Sequence, residues 1–137
     1  MKIRLVQIAH ARSGDKADWV DFGLFAWNAA GYRLIAREVT AARVEAHFAP
    51  WLPGTVQCWA LPNILALKLV LTGALQGGGA RNLRMDNLGK AMAAALLRLE
   101  IEVSEAELAE ALAMPRVGWW GPVAPDMPNA SNTPFQQ

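Results

Sequence analysis

The stretch Ile64 to Leu75 constrains this chain more than any other, because its twelve residues carry a single charge, Lys68. Leucines fall on nearly every side of such a segment, so it belongs at the centre of a fold or against another subunit. A helix of this length, rising about 1.5 Å per residue, falls well short of the roughly 30 Å of hydrocarbon that a span must cross. The segment therefore reads as a buried helix, and no membrane is implied. Pro62 stops the element before it, and Asn63 is placed to cap the helix by accepting one of its unpaired amide hydrogens.

Everything else has to pack around that segment, and 137 residues supply interior for one core only. Residues 3 to 8 form a β-favouring run that ends near His10, where Ser13-Gly14-Asp15-Lys16 supplies turn chemistry. Trp19 to Trp27 reads as a second strand returning antiparallel to the first, closed by Asn28-Ala29-Ala30-Gly31. Ile35, Val39, Ala42 and Ala46 recur at helical spacing, and Thr40 is a suitable start for a fresh helix, so one broken helix and two short ones fit equally. Thr55 to Ala60 has the composition of a third strand. Gly77-Gly78-Gly79 then breaks the pattern, residues 81 to 85 suit a short fourth strand, and Asp86 leads into another helix. Leu88, Met92, Ala95, Leu96, Leu99 and Val103 form one helical stripe. Ser104 and Glu107 make a capping box that starts a short helix carrying Leu108 and Leu112. The main domain is thus expected over 1–103, with a short helix and a Pro- and Trp-containing arm over 104–137. In that arm Trp119-Trp120 precedes Pro122, Pro125, Pro128 and Pro134, a pattern that suits either disorder or an extended segment held by a partner.

Charge and cysteine content narrow the function classes. Thirteen basic and twelve acidic side chains give a formal charge of +1, so no broad field draws in nucleic acid or an anionic membrane. Cys58 is the only cysteine, which excludes an internal disulfide and any metal site built from several thiolates. A reducing compartment fits, and Met1 to Val6 lacks the pattern of a secretory signal, so the expected location is cytoplasmic. The chain is 53% hydrophobic, a value that suits burial against another chain.

Reactive group types concentrate in one place, His10-Ala11-Arg12-Ser13-Gly14-Asp15-Lys16-Ala17-Asp18. Arg12, Ser13 and Lys16 suit a carboxylate or phosphate ligand if a sheet holds them together, yet Ser, Gly and Asp also serve turns for backbone reasons alone. Gly77-Gly78-Gly79 with Arg81 can admit an anion to backbone amides, or simply make a tight connection, and no P-loop pattern is present. His47 sits where a helix end favours an imidazole without any chemical task. Neither Ser13 nor Cys58 has the setting of a nucleophile, and the two histidines have no ligand spacing, so no metal or cofactor is expected.

The run from His10 to Lys16 resembles the signature that opens the ferredoxin-like domain of AtuA-type (acyclic terpene utilisation) proteins. The resemblance continues through Arg43-Val44-Glu45-Ala46-His47-Phe48, Leu61-Pro62-Asn63, the run from Gly77 to Asp86, Gly89-Lys90 and the run from Ala95 to Ile101, and so covers residues 3 to about 103 in order. Ala17 stands where that family usually has glycine, and Asp21 where asparagine is common. The resemblance implies an α+β ferredoxin-like sandwich, with about four mainly antiparallel strands and helices on one face. It also implies a small, non-autonomous subunit that works with a separately encoded large AtuA-type chain, as a homo-oligomer, or both, in the catabolism of branched or terpenoid acyl-CoA compounds by hydratase or lyase chemistry. In that reading His10 and Asp15 carry protons, while Arg12, Ser13, Gly14, Lys16 and Asp18, with Asn63, Gly78, Gly79 and Arg81, bind the substrate or order an interface. A non-catalytic scaffolding module is the alternative, and a self-sufficient small hydrolase is a third.

Overall fold

The computed structural model describes residues 1–50, 52–75, 77–78 and 90–117. Four strands make the main sheet: β2 (Ala9–Lys16), β3 (Trp19–Ala26), β4 (Thr55–Leu61) and β5 (Ala66–Thr72), in the order β2-β3-β5-β4 and antiparallel throughout. A two-stranded ribbon joins β1 (Lys2–Arg4) to β6 (Glu100–Glu102). The helices are α1 (Ala29–Glu38), α2 (Ala41–Phe48), α3 (Met92–Leu96) and α4 (Glu105–Ala113). α1 lies against β3 and β5, α2 against β4 and α3 against β2, while α4 packs on α1. This is the α+β ferredoxin-like layering expected from the sequence.

Strand pairing explains which residues are inside. Val20, Phe22, Leu24 and Ala26 alternate with Trp19, Asp21, Gly23 and Phe25 along β3, and the first set is buried against the helices together with Leu67, Leu69 and Leu71 of β5. Phe22 meets Phe48 of α2 with ring centroids 5.5 Å apart, which joins the sheet to the helix layer. The second set forms the other face of the sheet, over which no described helix lies.

The apolar run read as a helix is β5. Its seven residues lie between β3 and β4, with Leu67, Leu69 and Leu71 on the core face and Ala66, Lys68 and Val70 on the other. A short apolar run cannot be told from a buried helix segment by periodicity alone, and Ala66 and Val70, buried on the second face, blur the alternation here. Asn63 accordingly caps no helix and lies in a 3₁₀ turn, Pro62–Ile64, at the β4–β5 hairpin. The opening strand also differs from expectation: residues 2–4 pair with β6, a 3₁₀ turn covers Leu5–Gln7, and the polar cluster is itself strand β2 rather than a loop. The helical stripe ends at Leu96, and Ile101 belongs to β6 instead, where it pairs with Ile3. Expectations for residues 81–85 and the tail from 118 lie outside the described residues.

Two capping signals read from the sequence are realised. Thr40 accepts from the Arg43 amide and starts a second helix, and Ser104 and Glu107 form their reciprocal capping box. Arg37 joins Glu38 and Glu107, which ties α1 to α4 and, with the Ser104 amide, holds the Glu107 carboxyl down to about 2.

The β2–β3 turn consists of Ala17 and Asp18, and Ala17 has φ 55°. An L-residue there crowds its Cβ against the backbone, a cost that glycine would not carry. Ala17→Gly is expected to raise stability by about 1 kcal/mol in urea denaturation; a loss would mean that the turn is not left-handed in solution.

Candidate functional site

The register of the four strands lays out the uncovered face as rows. His10, Phe25, Ala66 and Leu61 share one row; Arg12, Gly23, Lys68 and Trp59 the next; Gly14, Asp21, Val70 and Gln57 the third; Lys16 and Trp19 begin the last. Two glycines on diagonally adjacent positions, Gly14 and Gly23, leave a depression in the middle of this grid. A cavity of about 390 Å³ opens there, walled by Arg12, Lys16, Asp21, Lys68 and Lys90.

Each wall has a structural cause. A Cβ on Gly14 would lie 2.9 Å from Lys90 Nζ, so the missing side chain is what lets that ammonium reach over the edge strand. A Cβ on Gly23 would lie 2.7 Å from the Phe25 ring, which leans across the glycine and closes one end. Lys68 is paired with Asp21. Among the described residues Arg12, Lys16 and Lys90 make no ion pair, so three cations converge on the depression against the half-buried Asp15 and the already paired Asp21. Such a set favours an anion, with the Arg12 guanidinium able to grip a carboxylate or phosphate through two parallel bonds.

The residues singled out from sequence divide into groups. Arg12, Gly14 and Lys16 meet at the cleft on one face of β2, and Asp15 borders it from the other face of the strand. Ser13 lines it too, but its hydroxyl donates to the Lys90 carbonyl at 3.2 Å and accepts from the Ala93 amide at 2.8 Å. It therefore supplies α3 with the cap that Ala91 lacks. Asp18 accepts from the Gly77 amide at 2.7 Å through its carboxylate, and from the Leu75 amide at 3.1 Å through its carbonyl. Gly78, at φ 103°, sits close over Ala17. Asn63 is at the opposite end of the sheet, some six residues or roughly 20 Å away along a strand, so it and Gly78 do not share a pocket. Gly79 and Arg81 lie outside the described residues.

His10 stacks between Phe25 and Trp27, at centroid distances of 5.2 and 4.3 Å, behind the end of the cleft that Phe25 closes. Burial pushes its pKa down, and its Nδ1 has no hydrogen-bond partner among the described residues, so the ring is held neutral by its surroundings. Burial pushes the Cys58 thiol up, away from nucleophilic use. His47 Nε2 lies 2.8 Å from the Ala95 carbonyl, a structural link from α2 to α3. No group of His, Cys, Asp or Glu among the described residues is arranged to hold a metal ion, and none of their helices is long and apolar enough to cross a membrane.

Lys68, Lys90, Gly23 and Phe25 were not assigned to the site from sequence. Lys68 had a signal, since one ammonium in an otherwise apolar strand must face the uncovered side of the sheet. Lys90 had none, because its approach depends on a glycine 76 positions earlier.

Fold and site together define an α+β domain of ferredoxin-like layering whose uncovered sheet face carries a cationic cleft. The chain belongs to the AtuA ferredoxin-like domain family, which matches residues 3–102. Neither the curated proteins nor the solved structures compared with it give a match.

Proposed function

We propose that this chain is the small, non-autonomous subunit of an AtuA-type catabolic complex, and that its cleft holds the anionic part of a branched or terpenoid acyl-CoA-type substrate. The observation that carries this reading is the convergence of Arg12, Lys16 and Lys90 on a glycine-floored depression. Unpaired cations on a protein surface are common, but three around one cavity, with a bare backbone floor, leave room for a ligand rather than for a side chain. The cleft is open on the side away from the sheet, so a large AtuA-type chain laid across this face would exclude water and strengthen every charge interaction inside it. Asp15, which borders the cleft from the Ser13 side of β2, is the proton carrier assigned to hydratase or lyase chemistry, whereas His10 stands behind Phe25.

The test begins with the tagged chain purified from its native host, where a large AtuA-type chain is expected to co-elute. In that complex Arg12→Ala and Lys90→Ala should each weaken acyl-CoA binding about tenfold, the loss expected for one charge-assisted hydrogen bond. Asp15→Ala should leave assembly intact and remove turnover. Wild-type binding and turnover in all three variants would refute the assignment.

A scaffolding role has one observation in its favour. Ser13 and Asp18, two of the residues in the polar cluster, are engaged in holding α3 and the glycine segment. In that case the same substitutions would release the partner while leaving chemistry in the residual complex unchanged.

A further inference from the structure

The uncovered edge of β4 is unusual among the elements of this fold. Thr55-Val56-Gln57-Cys58-Trp59-Ala60-Leu61 contains no charged residue and no proline, and five of its seven residues are exposed. Edge strands are normally blunted by charge, proline or a covering element, because bare amides and carbonyls recruit other strands. The opposite edge, β2, carries Arg12, Asp15 and Lys16 and is covered by α3.

The hydrogen-bond phase of the sheet identifies which groups are bare. The two-residue turn makes Lys16 and Trp19 a hydrogen-bonded pair. Alternation across β3 and β5 then turns Thr55, Gln57, Trp59 and Leu61 inward to β5, and Val56, Cys58 and Ala60 outward. The Val56 amide agrees with this phase, since it donates to the Glu45 carboxylate at 3.2 Å. Two outward donors remain, the amides of Cys58 and Ala60, and among the described residues neither meets an acceptor.

We infer that β4 pairs antiparallel with β4 of a second copy of this chain, with the two-fold axis at Trp59. Cys58 then faces Ala60 of the second copy, and the reverse pair is its symmetry mate, so both free amides on each chain meet a bare carbonyl. The next outward pair sets Val56, whose amide Glu45 already occupies, against Pro62, which has no amide to offer. Shifting the axis to Cys58 would require Val56 to leave Glu45. Shifting it to Ala60 would direct the Cys58 amide at the Pro62 carbonyl, which the Leu65 amide holds at 3.1 Å. The chosen register alone uses every free donor and disturbs no existing bond. It also brings the two copies of Trp59, each 48% exposed, side by side across a non-hydrogen-bonded pair, the closer of the two antiparallel spacings. Gln57 and Leu61 face each other on the same side. The product is a continuous eight-stranded sheet with closed two-fold symmetry, and both cationic clefts lie on one uncovered face.

Sedimentation of the full chain over a micromolar range should show a dimer. Ala60→Pro removes one donor from the edge while leaving the inward ladder alone, and should raise the dimer dissociation constant at least tenfold with unchanged circular dichroism. Trp59→Lys should do the same by placing like charges at the axis, and it serves should the proline variant not fold. For register, Trp59→Cys in a Cys58→Ala background should form a covalent dimer on mild oxidation, since its two copies face each other. Gln57→Cys in that background should not, because its two copies are about 14 Å apart along the strands. A monomer at every concentration, a dimer indifferent to both edge variants, or cross-linking through position 57 rather than 59 would each overturn the inference.

Discussion

Gly54→Ala is expected to destabilise the fold by about 3 to 5 kcal/mol, the largest effect of a methyl group added at any described glycine. Gly54 enters β4 with φ 137°, in a region of backbone space open almost only to glycine. A Cβ built there falls 1.9 Å from the Thr72 carbonyl oxygen and 3.1 Å from a Leu71 methyl. The obstructing atom is backbone of the neighbouring strand, so no rotamer change relieves the contact. The chain has to move Gly54 away from β5 and break the first rung, Thr55 to Thr72. Gly73→Ala makes a paired control: φ is 74° there, but the nearest atom is 3.8 Å away, leaving only the backbone penalty of about 1 kcal/mol. Urea denaturation of both variants measures the difference. Equal losses would show that the close approach of Gly54 to β5 is absent in solution.

Asn28→Ala is the second large effect, with an expected loss of about 3 kcal/mol. The side chain is 2% exposed and makes three bonds at once. Its oxygen accepts from the Gly31 amide at 2.9 Å and caps α1. Its nitrogen donates to the carbonyls of Ala111 at 2.8 Å and Met114 at 3.0 Å, filling vacancies at the end of α4. Removing the amide strands an N–H and two carbonyls, at least one of them buried, and each unsatisfied buried group costs about 1 to 3 kcal/mol. Asn28→Ser keeps an oxygen for the cap and cannot reach α4, so it should recover about 1 kcal/mol. Hydrogen exchange should separate the two functions: α4 amides should exchange faster in both variants, and α1 first-turn amides only in the alanine variant. Unchanged exchange in α4 would mean that Ala111 and the Arg37–Glu107 contact hold that helix unaided.

Why some elements were legible and others not follows from what each signal measures. Caps are local: Thr40 and Ser104 act on amides three residues away, so the residues alone identified where α2 and α4 begin. Strand composition marked β3 and β4 for the same reason, since branched and aromatic side chains suit a pleated surface whatever lies next to it. β5 reads as helix in the sequence because Ala66 and Val70, apolar and buried on the second face, stand between the alternating leucines and leave little polar contrast. The polar signature was misread as a loop because Ser13, Gly14, Asp15 and Lys16 match turn preferences, whereas in the fold they continue a strand whose turn comes at Ala17 and Asp18. The strand conformation shapes the cleft. On a strand, alternate residues share a face, which separates Arg12, Gly14 and Lys16 from Ser13 and sends the serine to α3.

While the α+β class came from the family resemblance, the sequence by itself determined where α2 and α4 begin, the strand character of β3 and β4, and the place where reactive groups concentrate. These rest on side-chain chemistry and on contacts between residues a few positions apart. Tertiary structure alone decided that Lys90 stands over Gly14, that Asn28 closes α4, and that β4 is left with two bare amides. Those relations join residues 76 and 83 positions apart or depend on the phase of a whole ladder, and no local window of sequence carries information about which distant backbone will arrive.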